Sequence, residues 1–476
     1  MKYIFLLISL FTFNFLQAQV TGVVKDAAGE PIPGANVFWM NTTNGVTTNE
    51  DGNFSIHKPA RSHMLVVSFI GFENDTIHVD KGNQQLDIVL REGVELSEVN
   101  VVTRKLGTMK LRTSVMNEDM ISSAELTRAA CCNLGESFVT NPSVDVSYSD
   151  AATGAKQIKL LGLSGTYVQM MTENIPNFRG AAAPYGLGYV PGPWMQSIQV
   201  SKGSSSVKNG YESITGQINV EFKKPQLPEA DWVSANLFAS STNRYEANAD
   251  ATVKLSKRWS TSLLAHYENE TKSHDSNDDG FVDIPRVEQY NVWNRWAYMG
   301  DHYVFQAGIK ALHETRNSGQ IAHGNTPSHD LYEIGIKTNR YEAFTKNAYI
   351  FDKEKNTNLA LILQGTLHNQ DANYGRKLYD VDQSNFYASL LFETELSKQH
   401  SLSAGLSFNY DGYDQNYRLT NQAEEGLTKK FVKESVPGAY VQYTFNLNDQ
   451  LMLMGGIRGD YSSEYGFFVT PRGHAK

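Results

Sequence analysis

VSKGSSSVKNGYESITGQINVEFKKP, residues 200–225, is the stretch of this sequence that decides the fold. Gly203, Gly210 and Gly216 separate short runs that are rich in Ser, Asn and β-branched residues. Glycine at such places permits a positive φ or a close approach of two backbones. Together with QIKLLGLSGTYVQMMTENIPNFRG at 157–180, the pattern predicts short strands joined by tight turns in a compact α+β domain.

From Trp232 onward the sequence changes to a period of two. In residues 245–255, apolar side chains at odd positions alternate with Glu246, Asn248, Asp250 and Thr252. One apolar and one strongly polar face fit lipid outside and a wet lumen inside, as in a transmembrane β-barrel. Short connections alternate with long polar ones, which we place near 271–289, 314–335, 370–384 and 411–434. We count about eleven strands and the start of a twelfth at Phe467.

The N-terminal part contains an export signal and a separate β domain. Residues 1–18 combine Lys2 with an apolar run too short to span a membrane, which indicates a signal peptide cleaved near Ala18. Residues 19–91 show β-rich runs between Gly, Pro, Asn and Asp turns, the pattern of a β-sandwich. Asp51-Gly52 predicts a hairpin between Thr47-Thr48 and Phe54–Ile56.

Composition and motifs exclude several classes of function. The net charge of -9 and a pI near 5.8 argue against a nucleic-acid partner, because the chain has no basic stripe. Cys131 and Cys132 are adjacent, so they cannot join distant elements through a disulfide. We find no zinc-binding His-x-x-Glu pair, phosphate loop or nucleophile–base spacing, and therefore predict that the protein is not an enzyme.

The sequence of residues 200–225 resembles the plug domain of TonB-dependent outer-membrane transporters. The resemblance rests on Lys202-Gly203, Ser206-Val207, Gly216–Val220 and Lys223–Pro225, in that order. Leu161 stands where the family has Arg, and Glu173-Asn174 where it has Asp-Gly. Residues 19–91 likewise resemble the carboxypeptidase regulatory-like domain that precedes the plug in Bacteroidetes transporters.

The resemblance implies a mainly β protein of three parts: an N-terminal β-sandwich, an α+β plug and the N-terminal half of a 22-stranded antiparallel transmembrane barrel. The divisions are 1–18 signal peptide, 19–91 sandwich, 94–107 TonB box and linker, 108–225 plug and 231–476 partial barrel. Because a twelve-strand ring is too narrow to hold a plug, we expect the sequence to be a fragment of a longer transporter. The expected location is the outer membrane, with the plug and sandwich facing the periplasm.

The resemblance also implies partners. Residues 94–107 would be the TonB box, which adds as a strand to the energy-coupling protein TonB and so tolerates varied side chains but not proline. The predicted TonB-binding residues are Ser97, Glu98, Val99, Val101, Val102 and Thr103. An inert linker is the alternative. TonB would act with ExbB and ExbD, and the barrel would contact outer-membrane lipid.

Candidate ligand-binding residues lie in and before the Gly/Pro-rich segment after Pro176. They are Arg179, Tyr185, Tyr189, Met170 and Met171. In an outer loop, Asp275, Asn277, Asp279 and Asp283 follow most of a calcium-loop spacing, but Arg286 replaces the final Glu. Calcium ordering of this loop and a solvated acidic turn both remain open. His323 and His329 are weaker candidates for a transition metal.

The function that the resemblance implies is TonB-energised import of a scarce metal chelate, such as a siderophore, cobalamin or another metal complex. No cofactor is required for it. The alternatives are an outer-membrane receptor that signals without transport, and a TonB-dependent porin for glycans. Fold alone does not choose among these substrates.

Overall fold

The computed structural model describes residues 19–476 except 27–28, 41, 43, 60–62, 70–71, 73, 80–84, 91–107, 111–114, 130–131, 140, 226–231, 322–330, 422–425 and 448–449. The chain divides into two compact units, residues 1–102 and 103–476. The first unit holds the N-terminal β domain. The second unit holds both the plug and the barrel strands.

The N-terminal unit consists of two small sheets around one apolar core that includes Trp39, Phe54 and Ile56. Its strands are β1 (Gln19–Lys25), β2 (Asn36–Trp39), β3 (Gly45–Thr47), β4 (Asn53–His57), β5 (Met64–Ser68), β6 (Asp75–His78) and β7 (Gln85–Val89). The sheet orders are β4-β1-β7 and β3-β2-β5-β6. The predicted hairpin at Asp51-Gly52 is wrong, because β3 pairs with β2 while β4 pairs with β1. The turn instead carries the chain from one sheet to the other.

The plug is built around a six-stranded sheet of order β13-β12-β15-β14-β9-β8. Its elements are β8 (Thr108–Lys110), β9 (Asn117–Ser122), α1 (Ser123–Arg128), β10 (Val144–Asp150), β11 (Ala155–Leu160), β12 (Val168–Thr172), β13 (Ile175–Pro176), β14 (Met195–Lys202) and β15 (Gly216–Phe222). Strands β10 and β11 form a separate hairpin. Among the residues that the structure describes, no helix is both long and apolar enough to cross a bilayer.

Strand β15 lies at the centre of the plug, where it pairs with β12 on one side and β14 on the other. All seven of its residues are buried. Gly216 is required at its start, because a Cβ there would collide with the Leu160 side chain and the Ser201 carbonyl. The Gly-Gln-Ile-Asn-Val motif therefore marks a fully buried strand of the plug.

The barrel part is one antiparallel sheet of twelve strands in sequence order. The strands are β16 (Trp232–Ala239), β17 (Arg244–Lys254), β18 (Trp259–Glu270), β19 (Arg286–Met299), β20 (Tyr303–Gly319), β21 (Glu333–Asp352), β22 (Thr357–Tyr374), β23 (Lys377–Ser397), β24 (His400–Arg418), β25 (Thr428–Leu447), β26 (Leu451–Ser462) and β27 (Gly466–Ala475). The mainly β fold, with a plug and a large antiparallel sheet, confirms the predicted class.

The strands bury their polar face and expose their apolar face. On β17, Glu246, Asn248, Asp250 and Thr252 are each no more than 5% exposed, whereas Tyr245 is 45% exposed. In a soluble protein the apolar face would be the buried one. The reversed arrangement is expected where lipid covers one face of the sheet and a plug covers the other. The alternation predicted from the sequence is therefore confirmed.

One predicted outer loop is wrong. Residues 370–384 are almost entirely strand, since β22 runs to Tyr374 and β23 begins at Lys377. Gly375, with φ of 61°, lies in the tight turn between them. Both strands far exceed the roughly 9–11 residues that cross a bilayer, so their polar outer ends resemble a loop in sequence while continuing the sheet.

The inverted surface leads to a test of membrane orientation. Leu406 lies near the middle of β24 and is 58% exposed on the apolar face. Leu406→Arg should lower the free energy of unfolding from lipid bilayers by about 2–4 kcal/mol, because a cation would then face hydrocarbon. The measurement is denaturant unfolding in vesicles.

Leu419→Arg is the matched control, because Leu419 is equally exposed but follows the end of β24. It should cost less than about 1 kcal/mol, as expected near the interface. Equal losses in the two variants would contradict a lipid-facing position for Leu406.

Candidate ligand-binding site

A large cavity lies between the plug and strands β24 and β25, near their outer ends. Its volume is about 700 Å³. Phe178, Arg179, Tyr211 and Glu212 of the plug line it, together with Asp411 and Tyr413 of the barrel. This size is within the range of pockets that bind small molecules.

Arg179 connects the two walls of the cavity. Its Nη2 lies 2.6 Å from Glu212 Oε1 of the plug, and its Nη1 lies 3.1 Å from Asp411 Oδ2 of β24. Burial alone would lower the pKa of the guanidinium, but Glu212 and Asp411 outweigh this effect and raise it. Arg179 therefore stays charged and joins plug to barrel at the edge of the cavity.

The residues that follow Arg179 are seated against the barrel wall. Gly180 has a φ of 59°, and a Cβ there would collide with the Tyr413 hydroxyl and the Gln383 amide. The Ala181 N–H donates to Gln383 Oε1 at 3.0 Å. The glycine of Arg179-Gly180-Ala181 thus allows a close approach of plug and wall. The Gly/Pro-rich segment after Pro176 forms packed, hydrogen-bonded turns here.

The other predicted ligand-binding residues occupy different environments. Met170 is partly buried and lines the cavity. Met171 and Tyr189 are fully buried, and Tyr185 is nearly so, with the Arg316 guanidinium 4.8 Å from its ring centre. In this conformation Met171, Tyr185 and Tyr189 pack the plug, while Arg179 and Met170 reach the cavity.

Several predicted sites lie outside the described residues. Ser97, Glu98, Val99, Val101, Val102 and Thr103 of the expected TonB box belong to this group, as do His323 and His329. Their roles stay predictions.

The acidic outer loop is held by its own backbone. The N–H groups of Asp279 and Gly280 donate to the Asp275 carboxylate at 3.2 and 2.9 Å, and the Ser276 N–H donates to Asp283 at 2.7 Å. Asn277 donates to Asp279 at 3.0 Å. Within the described ranges, no group of three or more His, Cys, Asp or Glu side chains converges as metal ligands. Calcium binding by this loop stays a prediction.

A buried ion-pair network at the plug–barrel boundary was not foreseen from the sequence. Arg295 of β19 donates to Glu173 at 2.6 Å and to the Lys223 carbonyl at 2.8 Å. Lys346 of β21 donates to the Glu173 carbonyl at 2.7 Å. Glu173 and Asn174 both have positive φ, at 51° and 62°. The departure from Asp-Gly at these positions is therefore a strained turn that the barrel cations hold in place.

The charge of Glu173 depends on those partners. Burial opposes its ionisation, but the positive charges of Arg295, Lys346 and Lys224 outweigh burial and lower its pKa below the usual 4.5. The sequence signal for this network was the presence of Arg and Lys on the polar face of barrel strands. That signal did not identify the partners.

A second group of contacts holds the plug segment between β14 and β15. Arg472 of β27 donates to the carbonyls of Ser205, Ser206, Tyr211 and Ser213 at 3.0–3.1 Å. Lys208 donates to Glu393 of β23 at 2.7 Å. Arg472 thus supplies donors to backbone carbonyls of this segment, and the Lys208–Glu393 ion pair holds the segment against the barrel wall.

Cys132 lies beside a second, smaller cavity of about 300 Å³ between the plug and the first barrel strands. There Arg244 lies within 3.0 Å of carboxylate oxygens of Glu136, Glu246 and Glu268. Burial is the main cause that raises the pKa of the Cys132 thiol. The neutral thiol fits a packing role.

Taken together, the two-sided sheet, the enclosed domain and the cationic wall define a plugged outer-membrane barrel protein. Comparison with known families agrees with this class. Residues 20–102 match the CarboxypepD_reg-like domain, and residues 110–217 match the TonB-dependent Receptor Plug Domain.

Curated relatives carry the same family name. TonB-dependent receptor SusC of Bacteroides thetaiotaomicron is 28% identical over 245 residues, which cover 48% of this chain and 24% of SusC. TonB-dependent receptor P39 of Formosa agariphila is 39% identical over 100 residues, or 20% of this chain and 10% of P39. The matched regions are thus a quarter or less of these relatives' lengths.

Solved structures share the fold. The alcaligin outer-membrane receptor FauA of Bordetella pertussis superposes with a TM-score of 0.61 at 14% identity, covering 80% of this chain and 63% of FauA. The copper transporter OprC superposes with a TM-score of 0.60 at 12% identity, covering 75% and 58%. At these identities the likeness concerns the fold alone.

The chain therefore carries the plug domain of TonB-dependent receptors behind a CarboxypepD_reg-like domain, and it is similar to TonB-dependent receptors in sequence and to outer-membrane receptors in fold. The relatives and solved structures reported above are named receptors or transporters, which agrees with the expectation that the protein is not an enzyme.

The Glu173 network leads to a stability test. Glu173→Gln should lower the stability of plug docking by about 3–5 kcal/mol, because it leaves the Arg295 charge buried without a counterion. Since the folded-state pKa is lowered, the stabilisation from ionised Glu173 is present above pH about 4.5 and is lost as pH falls through the folded pKa. The measurement is urea unfolding as a function of pH.

Glu354→Gln is the control, because Glu354 is exposed in the turn between β21 and β22. It should leave both the stability and its acid limb nearly unchanged. The account is contradicted if Glu173→Gln retains the acid limb of the wild type.

Proposed function

We propose that this receptor captures a solute in the cavity beside Arg179 and imports it with energy supplied through TonB, acting with ExbB and ExbD. The observation that supports the proposal is the cavity itself. It is about 700 Å³ in volume, lies near the outer ends of β24 and β25, and has the plug as one wall. A solute bound there contacts both the part that blocks the barrel and the barrel wall.

The proposed substrate class is a scarce metal chelate, such as a siderophore, cobalamin or another metal complex. The cavity can enclose much of a compound of that size. Met170 and Phe178 supply apolar surface, and Tyr211 and Tyr413 supply aromatic rings with hydroxyl groups.

A glycan is the second candidate, and the cavity's polar groups favour it. Glu212, Asp411 and Glu434 provide carboxylates that accept hydrogen bonds from sugar hydroxyls, next to the two tyrosines. Both substrate classes use the same cavity, so one binding experiment separates them.

The binding test uses the purified chain in lipid nanodiscs. The probes are a ferric hydroxamate, a ferric catecholate, cobalamin and a neutral malto-oligosaccharide, measured by calorimetry. Binding of one class identifies the substrate. Gly180→Ala should weaken it by about 10-fold or more, because the added Cβ collides with Gln383 and displaces Tyr413, which lines the cavity.

Gly365→Ala is the matched control, because no atom lies within 4 Å of a Cβ at Gly365. It should retain wild-type affinity. Loss of binding in both glycine variants, or in neither, would contradict this location of the site.

Energy coupling is tested at residues 94–107. Val101→Pro should abolish capture of the periplasmic domain of TonB, because proline removes a backbone donor needed for strand addition. Val101→Thr should retain capture, since the side chain changes but the backbone does not. The measurement is co-purification from outer membranes, and equal capture by both variants would refute strand addition at this segment.

A further inference from the structure

The ion pairs of Arg179 join three segments that are distant in sequence. Arg179 follows β13, Glu212 lies in the segment between β14 and β15, and Asp411 lies on β24. The guanidinium lies 2.6 Å from Glu212 and 3.1 Å from Asp411. We call these three side chains the Arg179 triad.

Contacts that do not involve Arg179 hold the backbone on both sides of Glu212. Arg472 of β27 donates to the carbonyls of Tyr211 and Ser213, the residues on either side of Glu212. Asp411 belongs to a long, fully paired barrel strand. Glu212 and Asp411 are therefore held in place by contacts other than Arg179, and Arg179 connects segment 177–183 to both.

The cavity has access to this connection. The Arg179 side chain is 24% exposed, and Arg179, Glu212 and Asp411 all line the cavity. A solute in the cavity therefore meets the carboxylates that hold Arg179. Charge-assisted hydrogen bonds to a carboxylate are strong enough to compete with one arm of an ion pair.

The charges of the lining also restrict what can compete. Lys156 and Arg179 are the cations of the lining, against Glu212, Asp411 and Glu434. Lys156 forms an ion pair at 3.7 Å with Glu136, which is outside this cavity. Arg179 forms ion pairs with two carboxylates, Glu212 and Asp411. The lining therefore favours hydrogen-bond donors such as hydroxyl or ammonium groups, and an oxyanion meets uncompensated negative charge.

We propose that the Arg179 triad is the solute-sensitive tie between plug and barrel wall. A solute that donates hydrogen bonds to Asp411 takes this carboxylate from Arg179 and frees segment 177–183 from β24. The proposal rests on the proposed function, because it assigns the regulation of the same cavity. Arg179 is then a positioning residue that loses its ion pair with Asp411 when a solute occupies the cavity.

The test removes the acceptor charge and so imitates the occupied state without a ligand. Asp411→Asn is compared with the wild type by hydrogen–deuterium exchange of the whole chain in nanodiscs. Exchange in segment 177–183 should accelerate about 10-fold, because its opening is no longer opposed by the ion pair, while exchange in β12 and β15 stays unchanged. Arg179→Lys, which keeps the charge but loses the fork, should give an intermediate rate.

Asp414→Asn is the matched control, since Asp414 lies on the same strand with its side chain exposed on the other face. It should exchange like the wild type. The proposal is overturned if the Asp411 and Asp414 variants exchange alike, or if Asp411→Asn accelerates exchange uniformly through the plug, as a general loss of stability would. None of these outcomes requires transport, so failure of the tie is distinguishable from failure of the proposed function.

Discussion

The structure depends on one constraint: a polar plug packs against a sheet whose outer face meets lipid, so burying the polar groups at their boundary is costly unless they find hydrogen-bond partners. Unpaired backbone groups in this environment are costly. Cationic side chains on the polar face of the strands supply several of these partners. Arg295 donates to Glu173, and Arg340 donates to Asn177 at 2.6 Å. Arg472 donates hydrogen bonds to four plug carbonyls.

Apolar contacts support the same boundary. Trp293 of β19 packs edge-on against Phe222 at 4.6 Å between ring centres, and the Arg295 guanidinium lies 4.5 Å from the Trp293 ring. The plug and the wall thus share a continuous core. The cavity is placed where this packing stops, at the outer ends of β24 and β25, and Arg179 marks its edge.

Local patterns made much of the fold predictable. The alternation along β17 and β24 needs only a period of two, and Gly216 marks a close approach in the sequence without identifying Leu160 and Ser201 as its neighbours. Pairing over long sequence distances was not predictable. Glu173 and Arg295 are 122 residues apart, and their side chains gave no local sign of a partner.

The same limit explains the errors. The turn at Asp51-Gly52 has hairpin chemistry, but the choice of sheet for β3 and β4 is made by the core around Trp39 and Phe54. Polar residues at 370–384 suggested a loop because strand ends beyond the membrane are also polar. Of the five candidate ligand-binding residues, the sequence could not tell that Met171, Tyr185 and Tyr189 point into packing, because exposure is decided by the barrel wall.

The central claim is that the plug is docked in one arrangement against the polar face of the sheet. Spin labels on Val139, which is 86% exposed on the plug, and on Ile309, exposed on the outer face of β20, test it by pulsed electron resonance in bilayers. The account predicts one narrow distance distribution. A broad or multiple distribution in the unliganded protein would show that the wall cations do not fix the plug, and would contradict it.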